Sequence, residues 1–171
     1  DEIKEVFKNY KIIDIGAKFG TIKVLDKENE YEITSMRCES GYSDKRHPEK
    51  IAFTNDIIKD LQRRDFTINA MAKRNGEILD LFDGKKDLEN KIIRAVGNPD
   101  NRIKEDVLRS LRAVRFATSL DFNIEENLKS AIRKHAASID AISKERVQVE
   151  INKILLADNQ KRGIKILDDV G

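Results

Sequence analysis

Apolar and polar residues alternate along the first part of the chain and then change to a helical period. Lys11 to Ile15 is a short apolar run punctuated by Gly16 and Gly20. Thr21-Ile22-Lys23-Val24-Leu25 alternates, Asp26 to Glu30 is a polar turn, and Tyr31-Glu32-Ile33-Thr34-Ser35-Met36 alternates again. Successive strand side chains point to opposite faces, so this pattern predicts an antiparallel hairpin. Cys38 to Pro48 is polar, holds Gly41 and Pro48, and is predicted as a loop. Asp1 to Lys8 reads as a helix. The spacing of Ile57, Ile58 and Leu61 predicts another, and Ile68, Met71 and Ala72 a further short one. Ile78 to Phe82 reads as an exposed strand or the approach to a turn at Asp83-Gly84. Leu88 sits in a short helix, and Ile92-Ile93-Arg94-Ala95-Val96 is a last strand-like run before Gly97-Asn98-Pro99.

From Asp100 onward the pattern is almost wholly helical. Val107, Leu108, Leu111, Val114 and Ala117 form one apolar stripe, and Leu128, Ala131 and Ile132, extended by Ala136, a second. Val147, Val149, Ile151, Ile154 and Leu155 form a third, with Ser143 placed to cap its helix. Gly163 to Val170 adds a further turn or two. The expectation is an α+β chain: a small mixed-sheet domain over residues 1–97, joined near Gly97 to a helical domain over residues 98–171.

Composition narrows the class. A chain of 171 residues can bury one core or two small units that share an interface. Its charged fraction of 37% exceeds the roughly 25% of an average soluble domain. No apolar stretch approaches the ~20 residues that span a bilayer, and the N-terminus has no signal-peptide pattern, so a soluble cytoplasmic protein is expected. The one cysteine, Cys38, can form no internal disulfide and has no cysteine partner for a metal. A net charge of +2 gives weak overall attraction to nucleic acid, which shifts attention to local clusters. These are Lys45-Arg46-His47, Arg63-Arg64, Lys85-Lys86, and the series Arg109, Arg112, Arg115; the clusters that hold lysine read equally well as solvated surface.

Two segments carry the chemistry: Arg63-Arg64-Asp65-Phe66-Thr67-Ile68-Asn69-Ala70-Met71-Ala72, and Glu105-Asp106-Val107-Leu108-Arg109-Ser110-Leu111-Arg112-Ala113-Val114-Arg115-Phe116. On one helix Asp106, Arg109 and Arg112, three apart, lie close together while Leu108 and Leu111 face the core. Each step of three drifts about 60°, which carries Arg115 half-way round from Asp106. Asp106 and Arg109 then make either a surface ion pair, worth a few tenths of a kcal/mol, or a ligand site. Asp65 and Asn69, four apart, either hold a sugar together or serve as a helix cap and a satisfied buried amide.

With these segments the sequence resembles the class II tRNA nucleotidyltransferases and the related bacterial poly(A) polymerases. Gly20-Thr21, Glu32 to Arg37, Leu81-Phe82-Asp83-Gly84 and Ile142-Ser143-Lys144-Glu145-Arg146 extend the resemblance over essentially the whole chain. It implies part of a palm-like nucleotidyltransferase sheet domain followed by a helical neck that recognises the nucleotide. It also implies an enzyme that adds C and A to the tRNA 3′ end from CTP and ATP, with Mg²⁺ and release of pyrophosphate. Within the family, a poly(A) polymerase or a CC- or A-adding enzyme is the alternative. A non-catalytic nucleotide- or RNA-binding module is the alternative outside it.

The resemblance assigns nucleotide binding to Arg64, Asp65, Asn69, Asp106, Arg109, Arg112 and Arg115. A carboxylate only accepts hydrogen bonds and a guanidinium only donates. Cytosine and adenine each show an amino donor beside a ring-nitrogen acceptor, so Asp106 can accept from the amino group while Arg109 donates to the ring. Uracil and guanine reverse the pattern, and each mispaired buried group costs about 1–3 kcal/mol. Arg64 would meet triphosphate or ribose through charge-assisted bonds. Family members are recognised also by a glycine-rich phosphate turn and an Asp-x-Asp pair that holds Mg²⁺, expected upstream of Asp1 in the same polypeptide or on another chain. Neither Asp1 nor Asp14 fits that pattern. No catalytic residue and no metal ligand is therefore assigned here, with Glu32 either an acidic neighbour of the site or an outward strand carboxylate. The tRNA partner would be read by shape and backbone, in part by helical regions beyond Gly171.

Overall fold

The computed structural model describes residues 2–16, 20–40 and 50–171. Part of the predicted loop and the Lys45-Arg46-His47 cluster lie outside the described residues. Helix α1 (Glu2–Val6) precedes an antiparallel sheet of β1 (Lys11–Gly16), β2 (Thr21–Asp26) and β3 (Asn29–Thr34) in the order β1-β2-β3. The predicted hairpin is present and tighter than the sequence implied. Asp26 pairs with Asn29, so only Lys27 and Glu28 turn the chain, and Lys27 adopts the left-handed conformation with φ 54°. Alternation puts Ile22 and Val24 inside, while Glu32 is exposed on β3.

Two expectations are corrected in the next stretch. Cys38 to Ser40 is not loop but belongs to β4 (Arg37–Ser40), which pairs antiparallel with β5 (Lys50–Phe53). Arg37 and Glu39 on this polar strand engage Arg63 after α2 (Ile57–Gln62), so charge contacts take the place of an apolar pattern. Met71 and Ala72 are not helical either. A 3-10 helix covers Thr67–Asn69, and Met71 then opens a hairpin of β6 (Met71–Arg74) and β7 (Glu77–Asp80). Asn75 and Gly76 both take positive φ, 51° and 88°, the conformation of a two-residue hairpin turn. Asp80 accepts backbone N–H bonds from Gly84 at 2.8 Å and Lys85 at 2.9 Å, which starts α3 (Gly84–Glu89) at the expected Asp83-Gly84 turn.

The remaining elements are β8 (Ile92–Ile93), α4 (Pro99–Glu105), α5 (Leu108–Leu120), β9 (Asn123–Ile124), α6 (Glu126–His135), a 3-10 segment Ala136–Ala141, α7 (Lys144–Leu155) and α8 (Gln160–Val170). The predicted strand over 92–96 is short, and it pairs in parallel with β9. The first two helical stripes hold: Val107, Leu108, Leu111, Val114, Ala117, Leu128, Ala131 and Ile132 are all buried, with Ala136 half-buried. The third is corrected. Ile154 is buried, with Val147 and Ile151 packed beside the core, whereas Val149 and Leu155 are 50% and 45% exposed. Positions 147, 151 and 154 share a face at 3.6 residues per turn, and position 149 falls across the helix from 147. Ser143 caps α7 by position but makes no side-chain bond; its carbonyl accepts from Arg146 and Val147.

The main apolar core runs across Gly97. It joins Phe66, Ile93 and Ala95 to Ala113, Val114 and Ala117 of α5 and to residues of α4, α6, α7 and α8. Phe66 is 1% exposed, and burying such a ring contributes about 1.5–3 kcal/mol. It is thus the anchor that fixes Arg64 and Asp65 beside α5. Among the described residues no helix is long and apolar enough to cross a membrane.

Candidate functional site

The two motif segments meet where Arg63 and Asp65, between α2 and the 3-10 helix, bond Arg109 and Arg112 of α5. Asp65 is buried and accepts four hydrogen bonds. Its Oδ1 takes the Phe66 N–H at 2.8 Å and the Asn69 side-chain amide at 3.1 Å. Its Oδ2 takes Nε of Arg112 at 2.8 Å together with Nη2 of the same guanidinium. Asp65 precedes the 3-10 helix and does not share a helix face with Asn69; the two meet through this bond. Burial pushes the Asp65 carboxyl up, but Arg112, the Asn69 amide and the Phe66 N–H outweigh it and hold the group below the ordinary carboxylate range. Arg64 is half-exposed, donating from Nη2 to Asp60 at 3.1 Å and from Nη1 to the Asn69 carbonyl at 3.3 Å.

Asp106 does not lie on the same helix as Arg109 and Arg112. It ends α4 with extended backbone, and Val107 leads into α5. Its Oδ1 caps the new helix by accepting the Leu108 N–H at 3.1 Å, and its Oδ2 pairs with Arg146 of α7 at 3.1 Å. An Asp106–Arg109 side-chain pair is therefore replaced by two others. Arg109, 9% exposed, donates from Nη1 to Glu105 at 2.6 Å and to the Arg102 carbonyl at 3.0 Å, and from Nη2 to the Arg63 carbonyl at 3.3 Å. The backbone N–H of Arg109 still bonds the Asp106 carbonyl at 3.0 Å, which holds the two residues together across the helix break.

Arg112 and Arg115 flank Phe116, at 5.6 Å and 4.0 Å from its ring centre, and Phe116 meets Phe66 edge-on with centroids 5.8 Å apart. Arg115 turns toward α7 and contacts buried Glu150 at 2.7 Å, a charge contact without hydrogen-bond alignment. The structure thus brings Arg64, Asp65, Asn69 and Arg112 into one bonded cluster, with Arg109 tied to it through the Arg63 backbone. Asp106 and Arg115 both face α7, through Arg146 and Glu150.

Each candidate arginine meets a carboxylate: Asp65, itself a predicted site residue, for Arg112, and three that the sequence did not single out, Asp60 for Arg64, Glu105 for Arg109 and Glu150 for Arg115. Two of these could have been found, because Asp60–Arg64 and Glu105–Arg109 are acid-to-arginine pairs at a spacing of four. Glu150 carried the signal of an acid within an apolar stripe. Asp60 also accepts from Arg63 at 2.6 Å and from the Arg37 N–H at 3.2 Å. Burial raises its carboxyl, and these bonds, with that from Arg64, bring it below the ordinary range. Among the described residues no group of three or more His, Cys, Asp or Glu is placed to hold a metal ion.

Residues 1–94 match the family described as Poly A polymerase head domain, and residues 121–171 match one described as Probable RNA and SrmB- binding site of polymerase A. The CCA-adding enzyme of Ligilactobacillus salivarius is 49% identical over 166 residues, 96% of this chain and 41% of that enzyme. That of Enterococcus faecalis is 47% identical over 96% of this chain and 40% of its own length. The chain therefore spans about two fifths of the curated relatives it matches. Among solved structures, the Bacillus stearothermophilus CCA-adding enzyme in complex with CTP aligns with a TM-score of 0.83 at 37% identity, over 92% of this chain and 38% of that one. A CCA-adding enzyme complexed with ATP aligns with a TM-score of 0.77 at 26% identity, over 99% of this chain and 38% of that one.

Proposed function

Because the chain belongs to the Poly A polymerase head-domain family, we propose that it is the nucleotide-selecting core of an enzyme that adds C and A to the 3′ end of tRNA. The substrates in this reading are CTP and ATP, and pyrophosphate leaves as the 3′ oxygen bonds to the α-phosphorus. The observation that carries it is the α4–α5 break, where a backbone hydrogen bond joins Asp106, an acceptor-only carboxylate held by Leu108 and Arg146, to Arg109, a donor-only guanidinium held by Glu105 and two carbonyls. Each Asp106 oxygen has one protein partner and so keeps a lone pair for an amino group. Arg109 gives three hydrogen bonds to protein acceptors, out of the five donors of a guanidinium. Relatives named CCA-adding enzyme, and neighbours solved with CTP and ATP, support the choice of bases.

Arg64, Arg112 and Arg115 are the cationic contacts for triphosphate and ribose in this reading. Residues 1–97 act as the head and 98–171 as the neck, a division supported by family matches that end at residue 94 and begin again at 121. Mg²⁺ would supply charge neutralisation at the triphosphate. The carboxylates described at this site are each committed to an arginine, so they do not suit the ion and none is assigned to it. The working compartment is taken to be the cytoplasm that holds its tRNA.

The test is product length. The full-length protein is given tRNA lacking its CCA end, with CTP, ATP and Mg²⁺. Growth by three nucleotides, dependent on both CTP and ATP, is expected. A long tail made from ATP alone would favour the poly(A) polymerase reading that the family description also fits. No extension, with the protein folded, would favour a binding module.

A further inference from the structure

We infer that the trough between the β6–β7 hairpin and α3 is a docking surface for a partner protein, shaped for a short acidic segment that carries a bulky apolar side chain. The trough has a volume of about 430 Å³ and is lined by Met71, Lys73 and Ile78 of the hairpin and by Lys85, Leu88 and Glu89 of α3. Lys73 pairs with Ile78, and Met71 lies two residues from Lys73, so strand alternation puts all three on one face. Positions 85, 88 and 89, three and four apart, share a face of α3. The walls are fixed before anything binds. Gly84 starts α3 so close to the Thr67 carbonyl and the Met71 side chain that a Cβ there would collide with both. Asp80 accepts the Gly84 and Lys85 N–H groups and ties the hairpin to the helix.

Ile78 is 50% exposed and Leu88 40%, and Leu79 and Leu81 beside them are exposed as well. Single exposed apolar residues are ordinary, but a cluster of them rimmed by charge marks a binding surface. The charge selects the partner. Lys73 and Lys85 stand on opposite walls, with Arg74 and Lys86 next to them in the chain, and none of the four has an ion-pair partner among the described residues. The arginines of the nucleotide site are each paired instead. Of the neighbouring carboxylates, Asp80 is engaged by backbone N–H groups and Asp87 by Thr67 and Arg94. Glu89 remains in the lining, with Glu77 and Asp83 exposed outside it. Nucleic acid fits less well, because unpaired bases stack on aromatic rings and the lining has none. An aliphatic floor between two lysines suits an apolar side chain flanked by carboxylates.

The experiment follows fluorescence anisotropy of a labelled peptide, Asp-Glu-Leu-Phe-Glu-Asp, titrated with the full-length protein. Controls replace its two apolar residues by alanine or its four acids by lysine, and a labelled RNA hairpin is run beside them. The acidic apolar peptide is expected to bind, the alanine version about tenfold more weakly and the lysine version more weakly still. Lys73→Glu combined with Lys85→Glu should weaken the acidic peptide about fivefold to tenfold, and Ile78→Ser combined with Leu88→Ser about tenfold. CTP binding should be unchanged in both variants, which also reports that they fold. Should either double variant not fold by circular dichroism, Lys85→Gln alone must still give a weakening of about threefold. A wild-type protein that leaves the acidic peptide free, or folded variants that bind it as the wild type does, would overturn the inference. So would an RNA hairpin that loses affinity in the charge-reversed protein while the peptide is unaffected, since the surface would then serve RNA.

Discussion

Glu105 closes helix α4 and Arg109 stands in the first turn of α5, yet the two are joined by a hydrogen bond of 2.6 Å across the break between the helices. This bond, with the Arg102 and Arg63 carbonyls, fixes the guanidinium that the proposed base reader depends on. Glu105→Gln removes the charge and keeps the shape. Preference for CTP and ATP over UTP and GTP should fall about threefold to tenfold, less than on removal of Arg109 itself, as for loss of one charge-assisted bond. Competition binding with the four nucleotides checks this, and an unchanged preference would mean that the Glu105 charge has no part in selection.

Arg64 carries no base-reading geometry, since its partners are Asp60 and the Asn69 carbonyl. Arg64→Ala should weaken nucleotide affinity by about 1.5–3 kcal/mol, and by the same amount for CTP and ATP. Titration calorimetry with each nucleotide separates this from a role in base choice, which would show as a loss for one of them.

Much of the arrangement was legible in the sequence because it obeys a period. The β2–β3 hairpin follows from alternation with a short polar turn, and the α5 and α6 stripes follow from helical spacing. The failures fall where another force decided. Met71 and Ala72 have helical spacing, but the Asn75-Gly76 turn commits them to a strand. Cys38 lies on a strand held by arginine–carboxylate contacts, which hydropathy does not record. At the site, residue identities were readable and their partners were not. Asp106 reads as helical with Arg109, although the backbone breaks between Glu105 and Leu108 and sends its carboxylate to Arg146, forty residues away. Long-range pairing of this kind, like Asp65 with Arg112, leaves no local pattern.

Packing of α8 depends on the missing side chain of Gly163. A Cβ there would come within 2.6 Å of the Ile154 Cγ2 and 2.7 Å of the Thr118 Oγ1. Gly163→Ala gains up to about 1 kcal/mol of helix propensity, against an overpacking cost of about 1–3 kcal/mol. Net destabilisation is expected, lowering Tm by about 2–4 °C for each kcal/mol. Thermal unfolding followed by circular dichroism checks it, and a rise in Tm would show that α8 shifts freely on α5 and α7.

Asp60 and Asp65 both ionise below the ordinary carboxylate range in the folded protein. Their contribution is therefore complete above the unfolded value of about 3.9 and is lost as pH falls through the lower folded value. Urea unfolding midpoints should hold steady from pH 7 to about 5 and drop below about 4. Asp60→Asn should be less stable at neutral pH and lose less on acidification. An equal acid response in variant and wild type would show that this carboxylate is not linked to folding.

Base selection by Asp106 and Arg109 is most directly tested in the full-length protein by equilibrium binding of CTP, ATP, UTP and GTP to the wild type, Asp106→Ala and Arg109→Ala. The wild type should prefer CTP and ATP. Each variant should lose most of that preference, by about 1–3 kcal/mol for each mispaired group no longer penalised, while retaining binding through Arg64, Arg112 and Arg115. Folded variants that keep the wild-type preference would contradict the assignment of Asp106 and Arg109 as the residues that read the base.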